Sequence, residues 1–160
     1  MVRQPLGQQR GNEGGPMIRS HRRSGTSDVA AVGILEDCPT PELQLIGQRS
    51  RTVDVPDGRM LCEQGSLALD CMLIESGYAD VFVGGQHVAT VGPGETVGEM
   101  GILERRPRSA TVVARTGMRV RLISAGDLDS LTQRTPVFTR ALLRELSARV
   151  RGANRAATQP

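Results

Sequence analysis

Aromatic residues are almost absent from this 160-residue chain: Tyr78, Phe82 and Phe138 are the whole set, and there is no Trp. The core must therefore be built from Val, Leu, Ile, Met and Ala. Proteins that bind single-stranded nucleic acids by stacking need exposed aromatic side chains, so the composition argues against that class. The length is that of one domain with tails.

Long apolar runs are also missing. The longest, from Val29 to Leu35, falls far short of the ~20 residues that a membrane-spanning helix needs. No apolar stretch follows the N-terminal arginines as it does in a secretory signal, so we expect a cytoplasmic protein. Three cysteines without a CxxC pair disfavour a disulfide framework and a zinc cluster. The two histidines, His21 and His87, are few for a metal-dependent jelly-roll enzyme.

Lysine is absent as well, and all 20 basic residues are Arg. Their distribution is uneven. Residues 1–27 carry a net charge of +4, residues 28–136 a net charge of −5, and residues 137–160 a net charge of +4. Nucleic-acid-binding proteins concentrate positive charge on the folded face. The weakly acidic body predicts that nucleic acid is not a partner.

The sequence predicts a boundary at residue 27 between an N-terminal tail and the folded domain. Residues 1–26 are rich in Gly, Gln, Arg and Ser without an apolar period, which predicts a disordered basic tail. Folded structure is expected from Ser27 onwards, beginning with a short amphipathic helix. Thr40 is expected to cap a second helix that ends around Gly47.

The middle of the chain predicts β-structure. Short apolar segments recur about every 8–12 residues between turn signals, and Gly84-Gly85 predicts a tight hairpin with positive φ. Segments 110–114 and 118–123 flank Thr116-Gly117 and are expected to pair with each other. The pattern indicates a mainly β fold, a closed or two-sheet antiparallel barrel, with flanking helices.

The C-terminal part predicts two helices. Ser124 to Asp127 is a capping-box-like start, and Pro136 opens the longest helix of the chain. Gly152 is expected to end that helix. One face is predicted to carry the residues at steps of four: Phe138, Leu142, Leu146 and Val150.

Residues 92–114 carry the clearest chemical pattern. Gly98 relieves the backbone at a turn that opens a single short helical turn, where unpaired N–H groups form an anion site. Glu99 supplies an acceptor for sugar hydroxyls. Nine residues later, Arg108 stands at the entry of a strand, where a guanidinium donates two parallel hydrogen bonds to a phosphate. With the hydroxyl of Ser109, these groups suit a small phosphorylated sugar.

The pattern resembles the phosphate-binding cassette of the cyclic nucleotide-binding domain family. The matching residues are Val-Gly-Glu-Met-Gly-Ile at 97–102 and Pro-Arg-Ser-Ala-Thr-Val at 107–112, and the resemblance extends over about residues 33–151. It implies an antiparallel jelly-roll β-barrel of the cyclic nucleotide-binding type, spanning residues 27–151. The implied ligand is cAMP or cGMP, with no cofactor and no catalytic activity.

The resemblance also implies roles for single residues. Glu99 would hold the ribose 2′-hydroxyl, Arg108 would pair with the cyclic phosphate, and Ser109 would contact the phosphate or base. The implied ligand-binding residues are Val97, Gly98, Glu99, Met100, Gly101, Arg108 and Ser109. Two features depart from the family: Val97 replaces the usual Phe, and residues 152–160 form only a short flexible tail. The helix that covers the base in the family is therefore expected to be missing or very short.

Three functions follow from these observations. The first is a stand-alone cyclic-nucleotide sensor that signals to an effector protein, with helix 136–151 as a candidate homodimer surface. The second is a ligand-free β-barrel scaffold with a degenerate cassette. The third is a small cupin-like enzyme, which two histidines serve poorly. No Cys or Ser nucleophile stands near a His, and no carboxylate pair has an evident acid–base spacing.

Overall fold

The computed structural model describes Val29 and residues 33–158. The predicted disordered tail, residues 1–26, and the predicted helix start at Ser27 lie outside the described residues. A 3-10 turn, Gly33–Leu35, precedes the first helix. Four α-helices follow: α1 (Thr40–Gln48), α2 (Glu99–Glu104), α3 (Ala125–Arg134) and α4 (Pro136–Thr158).

Eight strands form two antiparallel four-stranded sheets. The first sheet, in the order β1-β8-β3-β6, contains β1 (Arg51–Val55), β3 (Asp70–Ser76), β6 (Thr96–Val97) and β8 (Met118–Ser124). The second, in the order β2-β7-β4-β5, contains β2 (Met60–Cys62), β4 (Ala79–Val83), β5 (Gln86–Val91) and β7 (Thr111–Ala114). The prediction of an antiparallel β fold with flanking helices is confirmed. Strand pairing within the described residues does not join the two sheets, so the closed barrel stays a prediction.

The predicted pairing of 110–114 with 118–123 is wrong. β7 pairs with β2 and β4, whereas β8 pairs with β1 and β3. The segment between them is a corner that carries the chain from one sheet to the other. It packs against the β3–β4 corner, where the N–H groups of Arg115 and Thr116 bond to the carbonyl of Tyr78. Turn residues between two apolar segments therefore indicate a change of sheet here, not a hairpin.

Local signals at two other positions are confirmed. Gly84 and Gly85 both have positive φ, 58° and 79°, and join β4 to β5 in a hairpin. The hydroxyl of Ser124 accepts a hydrogen bond of 3.1 Å from the N–H of Asp127 at the start of α3. The predicted capping of α1 by Thr40 is wrong, because Pro39 is the N-cap residue and Thr40 already lies in the helix.

Two apolar clusters pack on opposite faces of the first sheet. One fills the space between the two sheets and includes Val53, Leu61 and Val120. The other lies on the outer face of the first sheet, where Leu73 packs with the helices and with Phe138 of α4. Because β3 is covered on both faces, its residues 71–74 form a continuous apolar run. Within the described residues, no helix is both long enough and apolar enough to cross a bilayer.

Two sequence expectations about α4 are wrong. The helix passes through Gly152 and ends at Thr158, so residues 152–158 are helical. The predicted face also fails at its end, since Phe138 and Leu142 are buried but Val150 is 60% exposed. Steps of four residues advance about 40° beyond a full turn each time, so three steps carry Val150 well away from the core.

A carboxylate from α1 holds the start of α4. Pro136, the first residue of α4, has no N–H to satisfy, so the first free donors are those of Val137 and Phe138. These two N–H groups bond to the two carboxylate oxygens of Glu42, at 3.1 and 3.0 Å. Glu42 is itself buried, and its charge lies at the positive end of the helix dipole. The contact therefore fixes the start of α4 on α1.

We expect Glu42→Ala to lower the free energy of unfolding by about 1–3 kcal/mol, because two N–H donors lose their acceptors. Glu36→Ala, at an exposed acid next to α1, is the matched control and should change stability little. Chemical denaturation of both variants measures the difference. Equal stabilities would contradict the role assigned to Glu42.

Candidate functional site

A cavity of about 300 Å³ opens between the second sheet, β6, α2 and α4. Strand residues such as Val81, Val91 and Val112 form its apolar wall, and Glu99 and Arg108 are among its charged groups. All seven ligand-binding residues expected from the sequence line it. Val97 belongs to the apolar cluster between the sheets, and Ser109 is exposed at the cavity.

The close packing of α2 beside the cavity depends on two glycines, Gly98 and Gly101. Gly98, the N-cap residue, has a φ of 85°, and a Cβ there would overlap Nη1 of Arg108 and lie 3.2 Å from the carbonyl oxygen of Asp70. A Cβ at Gly101 would lie 2.7 Å from the Cβ of Ala68. Both positions therefore need glycine, because α2 packs directly on the chain entering β3.

Arg108 is 5% exposed and is held from one side by Asp70. Its Nη2 donates to Asp70 Oδ1 at 2.7 Å, and its Nη1 donates to the carbonyls of Asp70 and Gly98, at 2.6 and 3.2 Å. Its Nε is buried and has no hydrogen-bond partner within the described residues. A guanidinium carries five N–H donors. Two of them, on Nε and Nη2, remain as a fork of the kind that binds two oxygens of an anion.

Glu99 is 1% exposed, and its two carboxylate oxygens differ. Oε1 accepts a hydrogen bond from Nη1 of Arg149, a residue of α4. Oε2 is buried without a partner in the described part of the chain. A buried acceptor without a donor is costly, so Oε2 is suited to a hydroxyl or amine of a ligand.

Arg149 joins α4 to the cavity through a small network. Besides Glu99, it contacts the carboxylate of Glu145 and the carbonyl of Thr96. Glu145 in turn accepts hydrogen bonds of 3.1 Å from the N–H and the hydroxyl of Thr96. Burial raises the pKa of Glu145 above its usual value, although Arg149 and the Thr96 N–H act in the opposite direction. The network fixes α4 against β6.

The cysteines near the site are weak nucleophiles. Cys62 lines the cavity, and burial raises the pKa of its thiol to about 11. Burial raises the pKa of Cys71 above its usual value too. Few thiolates exist at neutral pH under these conditions, so neither residue is an activated nucleophile. All three cysteines are free thiols and are buried.

Sequence reasoning missed Asp70, Thr96, Glu145 and Arg149. Two of them left a signal in the sequence. Asp70 is an acid at the entry of the apolar run of β3, and Arg149 stands seven residues after the buried Leu142, on the same side of α4. A charged residue at a position where the period calls for an apolar one indicates a buried ionic contact.

Comparison with known proteins agrees with this geometry. Residues 52–135 match the model of the family described as "Cyclic nucleotide-binding domain". The chain belongs to the cyclic nucleotide-binding domain family. The match covers the central strands of both sheets and the whole of α2, so it includes every residue that lines the cavity except Arg149 of α4.

Relatives of this family place the same domain in different proteins. The chain is 34% identical over 104 residues to the cyclic AMP receptor protein of Thermus thermophilus, an alignment that covers 62% of this chain and 48% of the receptor. It is 36% identical over 92 residues to the acetyltransferase Pat of Mycolicibacterium smegmatis, which covers 55% of this chain and 28% of the enzyme. The chain thus spans less than half the length of both relatives.

Solved structures of the family show the same fold. The Thermus thermophilus catabolite activator protein superposes with a TM-score of 0.68 at 29% identity, over 78% of this chain and 61% of that one. A cyclic nucleotide-binding domain from Methylobacillus flagellatus superposes with a TM-score of 0.66 at 27% identity, over 72% and 70% of the two chains.

We expect Gly98→Ala to destabilise the fold by about 1–3 kcal/mol, because it forces a left-handed backbone on alanine and displaces Arg108. Gly152→Ala is the matched control. It lies within α4 with no heavy atom near an added Cβ, and should stabilise the protein by up to about 1 kcal/mol. Thermal and chemical unfolding measure both. Similar effects of the two substitutions would contradict the close packing at Gly98.

Proposed function

We propose that this chain is a stand-alone sensor module that binds cAMP or cGMP in the cavity and signals to an effector protein. The observation that carries the proposal is the pair of unsatisfied groups in one cavity, the free edge of Arg108 and the free Oε2 of Glu99. They are a donor fork and a carboxylate acceptor. A cyclic nucleotide offers a matching anionic phosphate and a ribose hydroxyl.

In this proposal each group has one role. Arg108 binds the cyclic phosphate and needs no rearrangement, because Asp70 already fixes its other edge. Glu99 accepts the ribose 2′-hydroxyl through Oε2 and keeps Arg149 on Oε1. Val97, Gly98, Met100 and Gly101 form the wall around the sugar. The exposed Ser109 contacts the phosphate or base. The apolar wall of the second sheet faces the remaining part of the ligand.

Several finer features belong to the same proposal. The module occupies residues 27–151, adopts a jelly-roll barrel, acts in the cytoplasm and has no catalytic activity or cofactor. A homodimer through helix 136–151 is one way for it to signal. Arg149 is a positioning residue, since it reaches the ligand only through Glu99. In this way it couples ligand binding to the position of α4.

Calorimetry on the full chain with cAMP and with cGMP tests the proposal. We expect binding of both with similar affinities, because the polar contacts assigned here involve the phosphate and ribose. Arg108→Lys should weaken binding by at least roughly tenfold, about 1.4 kcal/mol, since lysine cannot present the two-pronged edge. Arg106→Ala, at an exposed arginine of the same loop, is the matched control and should bind normally. No heat and no thermal shift with either nucleotide at millimolar concentration would favour the ligand-free scaffold.

Arg149→Ala should also weaken nucleotide binding, by about tenfold, or about 1.4 kcal/mol. The reason is that Glu99 loses the donor that fixes its orientation. Hydrogen exchange should rise in α4 of the same variant, because the anchor to β6 is lost. Arg144→Ala, at an exposed arginine five residues earlier, is the control. Unchanged affinity together with unchanged exchange in α4 would contradict the positioning role of Arg149.

A further inference from the structure

The guanidinium of Arg149 is shared between two carboxylates at the edge of the cavity. Its Nη1 donates to Glu99 of α2, and its Nη2 donates to Glu145 of α4. The carboxylate of Glu145 also accepts hydrogen bonds of 3.1 Å from the N–H and the hydroxyl of Thr96, and only 14% of its side chain is exposed. One positive charge is thus divided between two acids, and one of them, Glu99, has its other oxygen in the cavity.

Negative charge exceeds positive charge around the cavity. The charged side chains that line it, taken with their ion-pair partners among the described residues, are four acids and two arginines: Asp70, Glu95, Glu99, Glu145, Arg108 and Arg149. A cyclic phosphate is itself an anion, so its binding adds negative charge to a site that already has a surplus. Added negative charge favours the protonated form of a nearby carboxyl group.

Glu145 is the acid of this group that we expect to take up a proton. Burial raises the pKa of its carboxyl above the usual value, and the charge of Glu99 raises it too. Arg149 and Thr96 act in the opposite direction but do not cancel the effect of burial. These are the groups that face Glu145 from α2, from β6 and from its own helix. A neutral carboxyl group still accepts a hydrogen bond from the Thr96 N–H, so protonation does not require α4 to move.

We propose that Glu145 is a proton-linked positioning residue: nucleotide binding draws a proton from solvent onto Glu145 and leaves Arg149 to Glu99. The inference rests on the proposed nucleotide binding and adds a form of regulation to the same site. The bound protein holds this proton more tightly than the free protein does. Linkage then requires the nucleotide affinity to rise as the pH falls.

A purely structural role of Glu145 predicts a different result. If Glu145 only held α4 in place through Arg149, its replacement by Gln would weaken binding at every pH. In the proton-linked role, Glu145→Gln removes a negative charge that opposes the phosphate and keeps an acceptor for Thr96. The same substitution should therefore strengthen binding near neutral pH.

Calorimetry on the full chain with cAMP and with cGMP tests the proposal at about pH 7.5 and about pH 5.5. Each titration is made in two buffers of different ionisation enthalpy, because the difference in heat counts the protons taken up. We expect the wild type to take up a fraction of a proton and to bind about threefold more tightly at the lower pH. Glu145→Gln should bind about threefold more tightly than the wild type at the higher pH, with less proton uptake.

Two further variants make the test specific. Glu104→Gln, at an exposed acid at the end of α2, makes the same change of charge and should behave as the wild type does. Thr96→Val removes the hydroxyl that donates to Glu145 and leaves the carboxyl in place. Its rise in affinity should occur at a higher pH than in the wild type, because the charged form of Glu145 loses a donor. Circular dichroism checks that each variant is folded at both pH values.

The possible failures are distinguishable. Equal pH dependence and equal proton uptake in the wild type and Glu145→Gln would overturn the proposal and assign the effect to other groups, such as His87 of β5. Weaker binding of Glu145→Gln at both pH values would leave Glu145 with a structural role only. Binding that does not depend on pH would contradict the proton linkage alone. No heat with either nucleotide at either pH would contradict the proposed function itself.

Discussion

The buried ion pair between Asp70 and Arg108 is the contact on which the cavity depends. It joins the first residue of β3 to the segment that enters β7, and so ties the two sheets together beneath α2. Backbone hydrogen bonds hold the same segment to the β2–β3 connection, since Gly65 N–H bonds to the Arg108 carbonyl and Arg108 N–H bonds to the Ser66 carbonyl. A guanidinium that is fixed on one edge is preorganised on the other, and preorganisation lowers the cost of binding an anion.

Two carboxylates from other helices, those of Glu42 and Glu99, hold α4 at two points along its length. Glu42 of α1 accepts hydrogen bonds from the first free N–H groups of the helix, and Glu99 of α2 accepts one from Arg149, about three turns further along. Between these anchors, Phe138 and Leu142 pack into the apolar cluster on the first sheet. Beyond the second anchor, residues 150–158 are exposed throughout. The helix therefore has one part that packs on the first sheet and reaches the cavity, and another that is exposed to solvent.

Sequence reasoning predicted the parts of this molecule that depend on local chemistry. The Gly84-Gly85 hairpin, the Ser124 cap and the two-sheet character all follow from residue types at short spacing. Contacts between residues far apart in the sequence could not be predicted in this way. Nothing in a one-dimensional pattern assigns Asp70 to Arg108 or an arginine of α4 to Glu99, because these pairs are separated by 38 and 50 residues. The pairing around residues 115–117 was wrong for a related reason: a turn signal does not say which sheet the next strand joins.

The two unsatisfied groups of the cavity also explain why a ligand is expected to bind without a large rearrangement. Each buried polar atom without a partner costs about 1–3 kcal/mol relative to a satisfied one. Nε of Arg108 and Oε2 of Glu99 have no hydrogen-bond partner among the described residues. A ligand that brings an anion and a hydroxyl would give both atoms a partner while Asp70 and Arg149 keep their contacts. If Glu99 is held in place by Arg149 as proposed, binding and the position of α4 are coupled, and the coupling acts in both directions.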